Sequence, residues 1–328
     1  MNTAAKLGAY GACLAVVFGG AFAVGDAVGE PTQSATPASH GTGHGTDHTV
    51  EEPASAPAGL SAQADGYELE LDEDRTTPDA SAQLEFRIVG PDGKTVDDYD
   101  VEHDKELHLI VVRRDLSGYQ HVHPVRADDG TWSTTLDLSA AGTYRVLADF
   151  TPAGHDRGLT LGTDLTVDGD ATPTALPAPA LTAEVDGYEV TLEGQLVPGQ
   201  TSPLTLTVSR NGEPVDDLQP YLAAYGHLVA LRTDDLAYLH VHPDGAPGDG
   251  ETPAGPGITF YAEVPTADSY RLFLDFRHGD EVHTAEFTAF ATAPSPDDTT
   301  TNTSNATTTE PAPAEHGSDG HGHPGEGS

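Results

Sequence analysis

Sulfur is scarce in this chain. Cys13 is its single cysteine and Met1 its single methionine. A lone cysteine excludes an intramolecular disulfide and any zinc or redox site built from several cysteines. The lack of an internal methionine also argues against a blue-copper site and against a thioether copper(I) site. Any metal ion bound here should therefore be held by nitrogen and oxygen atoms.

Positive charge is scarce as well. The chain has 14 lysine and arginine residues against 53 acidic residues, for a net charge of −39. Such a surface repels nucleic acid and anionic lipid headgroups and attracts cations. We therefore expect no nucleic-acid partner, and membrane contact only through the N-terminal segment.

The N-terminal segment has the pattern of an export signal. Residues 7–25 form an uncharged apolar run preceded by Lys6, and Ala21-Phe22-Ala23 supplies a cleavage sequence of small residues. A run of this length can also remain as a membrane anchor. We predict a secreted or cell-surface protein, in which residues 1–25 are either a signal peptide or an anchor.

An internal duplication is the most informative feature of the chain. The segment HLIVVRRDLSGYQHVHP (108–124) matches HLVALRTDDLAYLHVHP (227–243) without a gap, and GTYRVLADF (142–150) matches DSYRLFLDF (268–276). Each copy reads as short strands separated by Gly, Pro and Asp, with no sustained helical period. Two homologous domains are therefore expected.

The strand pattern favours an all-β fold made of two tandem immunoglobulin-like β-sandwich domains, with disordered His-rich N- and C-terminal tails. Trp132 should face the core, where the second copy has Ile258. Tyr144 and Tyr270 should form tyrosine corners. The predicted segments are a signal or anchor (1–25), a disordered His-containing spacer (26–61), the first sandwich (62–169), a Pro-rich linker (170–179), the second sandwich (180–291) and a disordered Thr/His-rich tail (292–328).

Three histidines recur in register and are candidate metal ligands. His121 and His123 project from one face of a strand because side chains alternate along it, and His108 begins an apolar run thirteen residues before His121. A hairpin centred near Leu116 would place His108 opposite residue 124, next to His123. The second copy repeats this pattern with His227, His240 and His242.

Three neutral imidazoles suit a copper or zinc ion. The two sites could be separate or could pool into one site between the domains. The alternative interpretation is architectural, because duplication also copies histidines that merely hydrogen-bond to neighbouring backbone.

Other polar residues of the two copies are assigned to the surface. Arg145 and Asp149, like Arg271 and Asp275, share a strand face and are expected to pair on a sheet surface. The histidines without a histidine counterpart in the other copy are also expected at the surface: His103, His155, His278 and His283.

The two repeated segments resemble those of a family of exported, two-repeat proteins of actinobacterial type that are described as secreted or heavy-metal-binding. More distantly, the chain is similar to β-sandwich modules of the YtkA-like and copper-resistance type. The resemblance implies a sandwich fold and a metal role, and it supplies no established activity.

The function predicted from the sequence is extracytoplasmic binding of copper or zinc for capture, buffering or delivery, with a metal exporter or sensor as partner. The alternative is a non-catalytic cell-surface β-sandwich protein whose histidines are architectural. A metal-dependent hydrolase would need a general base and a substrate pocket that the sequence does not indicate, so we predict that the protein is not an enzyme.

Overall fold

The computed structural model describes residues 57–239 and 241–293. The predicted export segment, most of the spacer, most of the C-terminal tail and His240 lie outside these residues. Within the described ranges, no helical segment has the length and apolarity needed to cross a membrane.

The first domain is a sandwich of two sheets. Its strands are β1 (Gln63–Ala64), β2 (Tyr67–Leu71), β3 (Arg75–Thr76), β4 (Asp79–Val89), β5 (Tyr99–Asp100), β6 (Leu107–Arg113), β7 (Gln120–Val122), β8 (Val125–Arg126), β9 (Trp132–Leu138), β10 (Gly142–Pro152) and β11 (Leu159–Val167). One sheet has the order β1-β2-β4-β9-β8, and the other has the order β3-β11-β10-β6-β7, with β5 paired to β10.

The second domain repeats this architecture. Its strands are β12 (Thr182–Val185), β13 (Tyr188–Gly194), β14 (Thr201–Arg210), β15 (Glu213–Pro214), β16 (Gly226–Arg232), β17 (Tyr238–Leu239), β18 (Val241–Pro243), β19 (Gly257–Glu263), β20 (Ser269–His278) and β21 (Glu281–Phe290). The sheet orders are β12-β13-β14-β19-β18, with β15 on β14, and β17-β16-β20-β21. The predicted all-β fold with two sandwiches is confirmed.

Each sandwich has the core features expected of its class. Trp132 is buried and packs on Phe86, with ring centroids 6.4 Å apart. The Tyr144 hydroxyl donates to the carbonyl of Ala140 at 2.9 Å, and the Tyr270 hydroxyl donates to the carbonyl of Thr266 at 2.9 Å. Both tyrosine corners therefore close the turn before their strand.

A third apolar cluster lies between the two domains. It joins residues on the outer faces of β6, β10, β16 and β20, together with residues of the two β6–β7 and β16–β17 hairpins. Its buried members are Ile110, Val112, Leu116, Leu147, Val229, Leu231, Leu236, Tyr238 and Phe273. Ring stacking strengthens the contact, because Tyr119 lies parallel to Phe273 with centroids 3.9 Å apart.

This interface explains why the runs LIVV and LVAL do not alternate with polar residues. In β6, Leu109 and Val111 face the core of their own sandwich, whereas Ile110 and Val112 face the interdomain cluster. A strand buried on both faces reads as a continuous apolar run. The two central strands that carry His108 and His227 are thus held from both sides.

The end of the predicted spacer is part of this arrangement. The amide of Gly59 donates to the carbonyl of Thr160, and the amide of Tyr238 donates to the carbonyl of Ala58, both at 2.9 Å. A Cβ on Gly162 would lie 1.9 Å from the carbonyl oxygen of Gly59, so only glycine allows this close approach. The prediction of disorder through residue 61 is therefore wrong for residues 58–61, which hydrogen-bond to both domains.

Candidate metal centre

The β6–β7 hairpin brings three histidines together. Leu109 pairs with Val122 and Ile110 with His121, so the same register sets His108 opposite residue 123. Val122 packs against the core of the first sandwich, and the histidines project from the other face.

The predicted proximity is therefore correct, but the predicted register is wrong by one residue. The turn is centred between Asp115 and Leu116 rather than on Leu116. Leu116 adopts a positive φ of 65°, and Arg113 closes the turn through its backbone to Ser117.

Three ring nitrogens converge on one point. His108 Nδ1 lies 3.1 Å from His121 Nε2 and 3.3 Å from His123 Nε2. The ligand atoms of these three residues all lie within 4.8 Å of one another. Imidazole nitrogens bound tetrahedrally to zinc at 2.0–2.1 Å are about 3.4 Å apart. The cluster therefore has the dimensions of a three-histidine metal site.

The outer nitrogens of two rings are committed to acceptors. His108 Nε2 donates to the carbonyl of Glu102 at 3.1 Å, and His121 Nδ1 donates to Asp275 Oδ2 at 2.8 Å. In a neutral imidazole the second nitrogen then carries a lone pair. When each ring carries a single proton, on its outer nitrogen, His108 Nδ1 and His121 Nε2 face each other with lone pairs, an arrangement that a cation between them would stabilise.

Asp275 comes from the second domain, 154 residues away from His121 in the chain. It is 3% exposed and also accepts a hydrogen bond from Thr284 at 2.6 Å. A carboxylate on the outer nitrogen fixes the orientation of a ligating histidine and raises its basicity. The first domain supplies the three histidines, and the second supplies this support.

Strained turns precede both central strands. His103 and Asp104 have positive φ values of 49° and 63°, and the equivalent Leu222 and Ala223 have values of 55° and 60°. Left-handed conformations cost non-glycine residues about 1–2 kcal/mol each. These turns present the carbonyls that accept from His108 and His227, so the strain accompanies the fixing of both rings.

The second repeat does not build a copy of this site from its described residues. β17 pairs with β16, but β18 pairs with β19 of the opposite sheet, so the strand changes sheets before His242. In the first repeat, Val122, the counterpart of Val241, still pairs with β6. His242 is exposed on the opposite sheet, whereas His227 is buried on β16. The predicted second triad thus has His227 and His242 on different sheets, and His240 lies outside the described residues.

His227 lies beside the first triad instead. Its ring centroid is 6.1 Å from that of His108, 6.3 Å from that of His121 and 4.9 Å from that of His103. Tyr221 lies edge-on to both His123 and His227, at 6.2 and 6.1 Å. The triad together with His103, Tyr221 and His227 forms a histidine cluster that includes residues of both domains.

The predicted pairing of Arg145 with Asp149, and of Arg271 with Asp275, is wrong. Arg271 bonds to Glu286 and Thr288 rather than to Asp275, and Arg145 pairs with Asp164 rather than with Asp149.

Two histidines assigned to the surface also lie elsewhere. His103 lies in the cluster, and His283 is 5% exposed and bonds to Asp186. The recurrence of Asp149 and Asp275 at matching positions of the two repeats could have marked them as site residues. Their contacts across the domain interface, Asp149 with Tyr238 and Asp275 with His121, depend on how the two domains dock.

Burial holds His108, His123 and His227 in the neutral form. Burial, and after it the neighbouring His121, lowers the pKa of His108 to about 4. Burial, then His121 and His108, lowers the pKa of His123 to about 2. Burial also lowers the pKa of His227 to about 3, against the opposing effect of its hydrogen bond to Leu222. Neutral imidazole is the form that binds a metal ion.

These shifts predict that the metal-free protein loses stability in mild acid. Unfolded histidines protonate near pH 6.5, whereas buried His108 and His227 protonate near 4 and 3, so the unfolded state binds more protons in between. The free energy of unfolding should fall between pH 7 and pH 5 by about 1–2 kcal/mol for each of these histidines. Urea unfolding in the presence of a chelator measures this change.

The matched variants are His227→Gln and His242→Gln. His227→Gln should lose less stability than the parent over this pH range, and the exposed His242→Gln should lose as much as the parent. The same pH dependence in all three proteins would contradict the assignment. Carboxylate titration is common to them and cancels in the comparison.

Comparison with known proteins identifies the family to which the two repeats belong. A family described as a domain of unknown function (DUF8832) matches residues 62–167 and 183–293. No curated protein matches the chain.

Similar solved structures include bacterial adhesins. The adhesin FdeC of Escherichia coli is 14% identical over 70% of this chain and 64% of its own, with a TM-score of 0.23. The adhesin InvE of Yersinia pseudotuberculosis is 14% identical over 71% of this chain and 60% of its own, with a TM-score of 0.21. The chain spans less than two thirds of both adhesin chains, and at these TM-scores the likeness carries no functional inference.

Proposed function

We propose that this protein binds a divalent transition metal ion, copper or zinc, through His108, His121 and His123. The chain belongs to the family described as a domain of unknown function (DUF8832). One observation carries the proposal: His108 Nδ1 lies 3.1 Å from His121 Nε2 and 3.3 Å from His123 Nε2, while the outer nitrogens of His108 and His121 are held by fixed acceptors.

The biological role proposed for this site is capture, buffering or delivery of the metal outside the cytoplasm. The export-type segment at residues 7–25 and the net charge of −39, which attracts cations, support this location and role. A metal exporter or sensor is the proposed partner.

The proposal is for a binding protein rather than an enzyme. Two of the carboxylates beside the cluster already accept hydrogen bonds, Asp149 from Thr160 and Tyr238, and Asp275 from Thr284 and His121. A carboxylate occupied in this way supports a ligand or an interface more readily than it accepts a proton from a substrate.

A second candidate function is architectural. The bond from His121 to Asp275 crosses the domain interface, so this histidine joins the domains whether or not a metal ion is bound. In this alternative the protein is a non-catalytic surface protein whose histidines stabilise the pair of sandwiches.

Calorimetric titration with Cu²⁺ and Zn²⁺ separates the two candidates. It should use the full chain without its tail histidines, here called the tail-histidine-free chain, in which serine replaces His40, His44, His48, His316, His321 and His323. We expect one equivalent of metal bound with a Kd below about 1 μM, or about −8 kcal/mol. No saturable binding by this folded chain would refute the metal proposal and leave the architectural one.

A further inference from the structure

The second domain contributes a histidine that stands at the edge of the proposed site. His227 is 8% exposed, and its ring is inclined by 29° to that of His108. It occupies in the second repeat the position that His108 occupies in the first. It is not one of the three ligands of the proposed site.

The hydrogen bonding of His227 leaves one nitrogen able to bind a metal ion. Its Nε2 lies 2.9 Å from the carbonyl of Leu222, and a carbonyl can only accept, so Nε2 carries the proton. Nδ1 of the neutral ring therefore carries the lone pair. His108 shows the same division of roles, with Nε2 on the Glu102 carbonyl and Nδ1 in the triad.

The ring centroids place His227 just outside the spacing of the triad. Within the triad the ring centroids are 4.9–5.4 Å apart, whereas His227 is 6.1 Å from His108 and 6.3 Å from His121. Imidazoles sharing a tetrahedral zinc ion have centroids about 5 Å apart. An inward movement of roughly 1 Å would bring His227 to that spacing.

We propose that His227 is the fourth protein ligand and that the bound metal ion joins the two domains. This inference rests on the proposed function of the triad. The ion would then have three ligands from the first domain and one from the second, in addition to the Asp275 support. Metal binding would stabilise the docked pair of sandwiches, and separating the domains would favour metal release.

The test uses Co²⁺ as a spectroscopic probe of coordination in the tail-histidine-free chain. In His227→Gln, the amide nitrogen can still donate to the Leu222 carbonyl, but the ring nitrogen that would bind the metal is gone. We expect this variant to bind one Co²⁺ with a changed visible d–d spectrum and an affinity lower by about a hundredfold or more. Thermal unfolding of the metal-free variant checks that the fold is retained, and His227→Asn serves as a second variant.

His242→Gln is the matched control, because it removes the other described histidine of the second repeat's motif, one that is exposed on the opposite sheet. Its Co²⁺ spectrum and affinity should equal those of the parent. A parental spectrum and affinity in His227→Gln would overturn the inference and leave the triad intact. Failure of the parent to bind Co²⁺, Cu²⁺ or Zn²⁺ would overturn the proposed function itself.

Discussion

Replacing His108 with glutamine should remove most of the metal affinity. His108 Nδ1 is the atom that makes both short contacts of the triad, at 3.1 and 3.3 Å. Four-ligand zinc sites contribute about 10–16 kcal/mol of apparent binding energy, so one lost ligand costs about 3 kcal/mol, or a hundredfold or more in Kd. Titration of the tail-histidine-free chain with Cu²⁺ and Zn²⁺ measures the loss.

His155→Gln is the control for this prediction. His155 bonds to Asp65 and lies against Tyr67, within the first sandwich but outside the triad. It should keep the parental affinity and stoichiometry. Glutamine at 108 can donate to the Glu102 carbonyl as the ring does, so the strained turn keeps its partner. Equal affinities for the two variants would place the metal site elsewhere.

Phe273→Ala should destabilise the protein by about 3–5 kcal/mol. Phe273 is fully buried in the interdomain cluster, stacks on Tyr119 at 3.9 Å and lies under the guanidinium of Arg271 at 5.2 Å. Its removal leaves a cavity between the packed sheets of the two domains. This cavity cannot collapse unless the domains move towards each other. Urea unfolding of the metal-free chain gives the free-energy change.

The same substitution should weaken metal binding, since Asp275 lies two residues further along β20 and reaches His121 only while the domains are docked. Phe290→Ala is the matched control, because Phe290 lies on the neighbouring strand β21 and is 58% exposed. It should change the free energy of unfolding by no more than about 0.5 kcal/mol. A loss below about 1 kcal/mol for Phe273→Ala would mean that the interdomain cluster contributes little to stability.

The sequence pattern alone predicted the features that depend on residues close together in the chain. The repeat, the strands, the two tyrosine corners and the shared face of His121 and His123 all follow from side-chain alternation and turn residues within one domain. The proximity of His108 to His123 followed from a single hairpin. The register was wrong by one residue because it depends on where the turn from Arg113 to Ser117 closes.

The unbroken apolar runs indicated a second buried face, because a strand with one solvent-exposed face alternates apolar and polar residues. Ile110 and Val229 reveal that face, and it lies against the other sandwich.

Only the tertiary structure decided which residues complete the site. His121 meets Asp275, and His227 lies beside His108, because the outer faces of two sheets pack together. The nearly identical motifs also diverge: His123 stays beside His108 of β6, whereas His242 lies on β18, which pairs with β19 of the opposite sheet. Duplicated sequence specifies equivalent strands, but cross-domain contacts and the point of sheet exchange depend on packing between segments far apart in the chain.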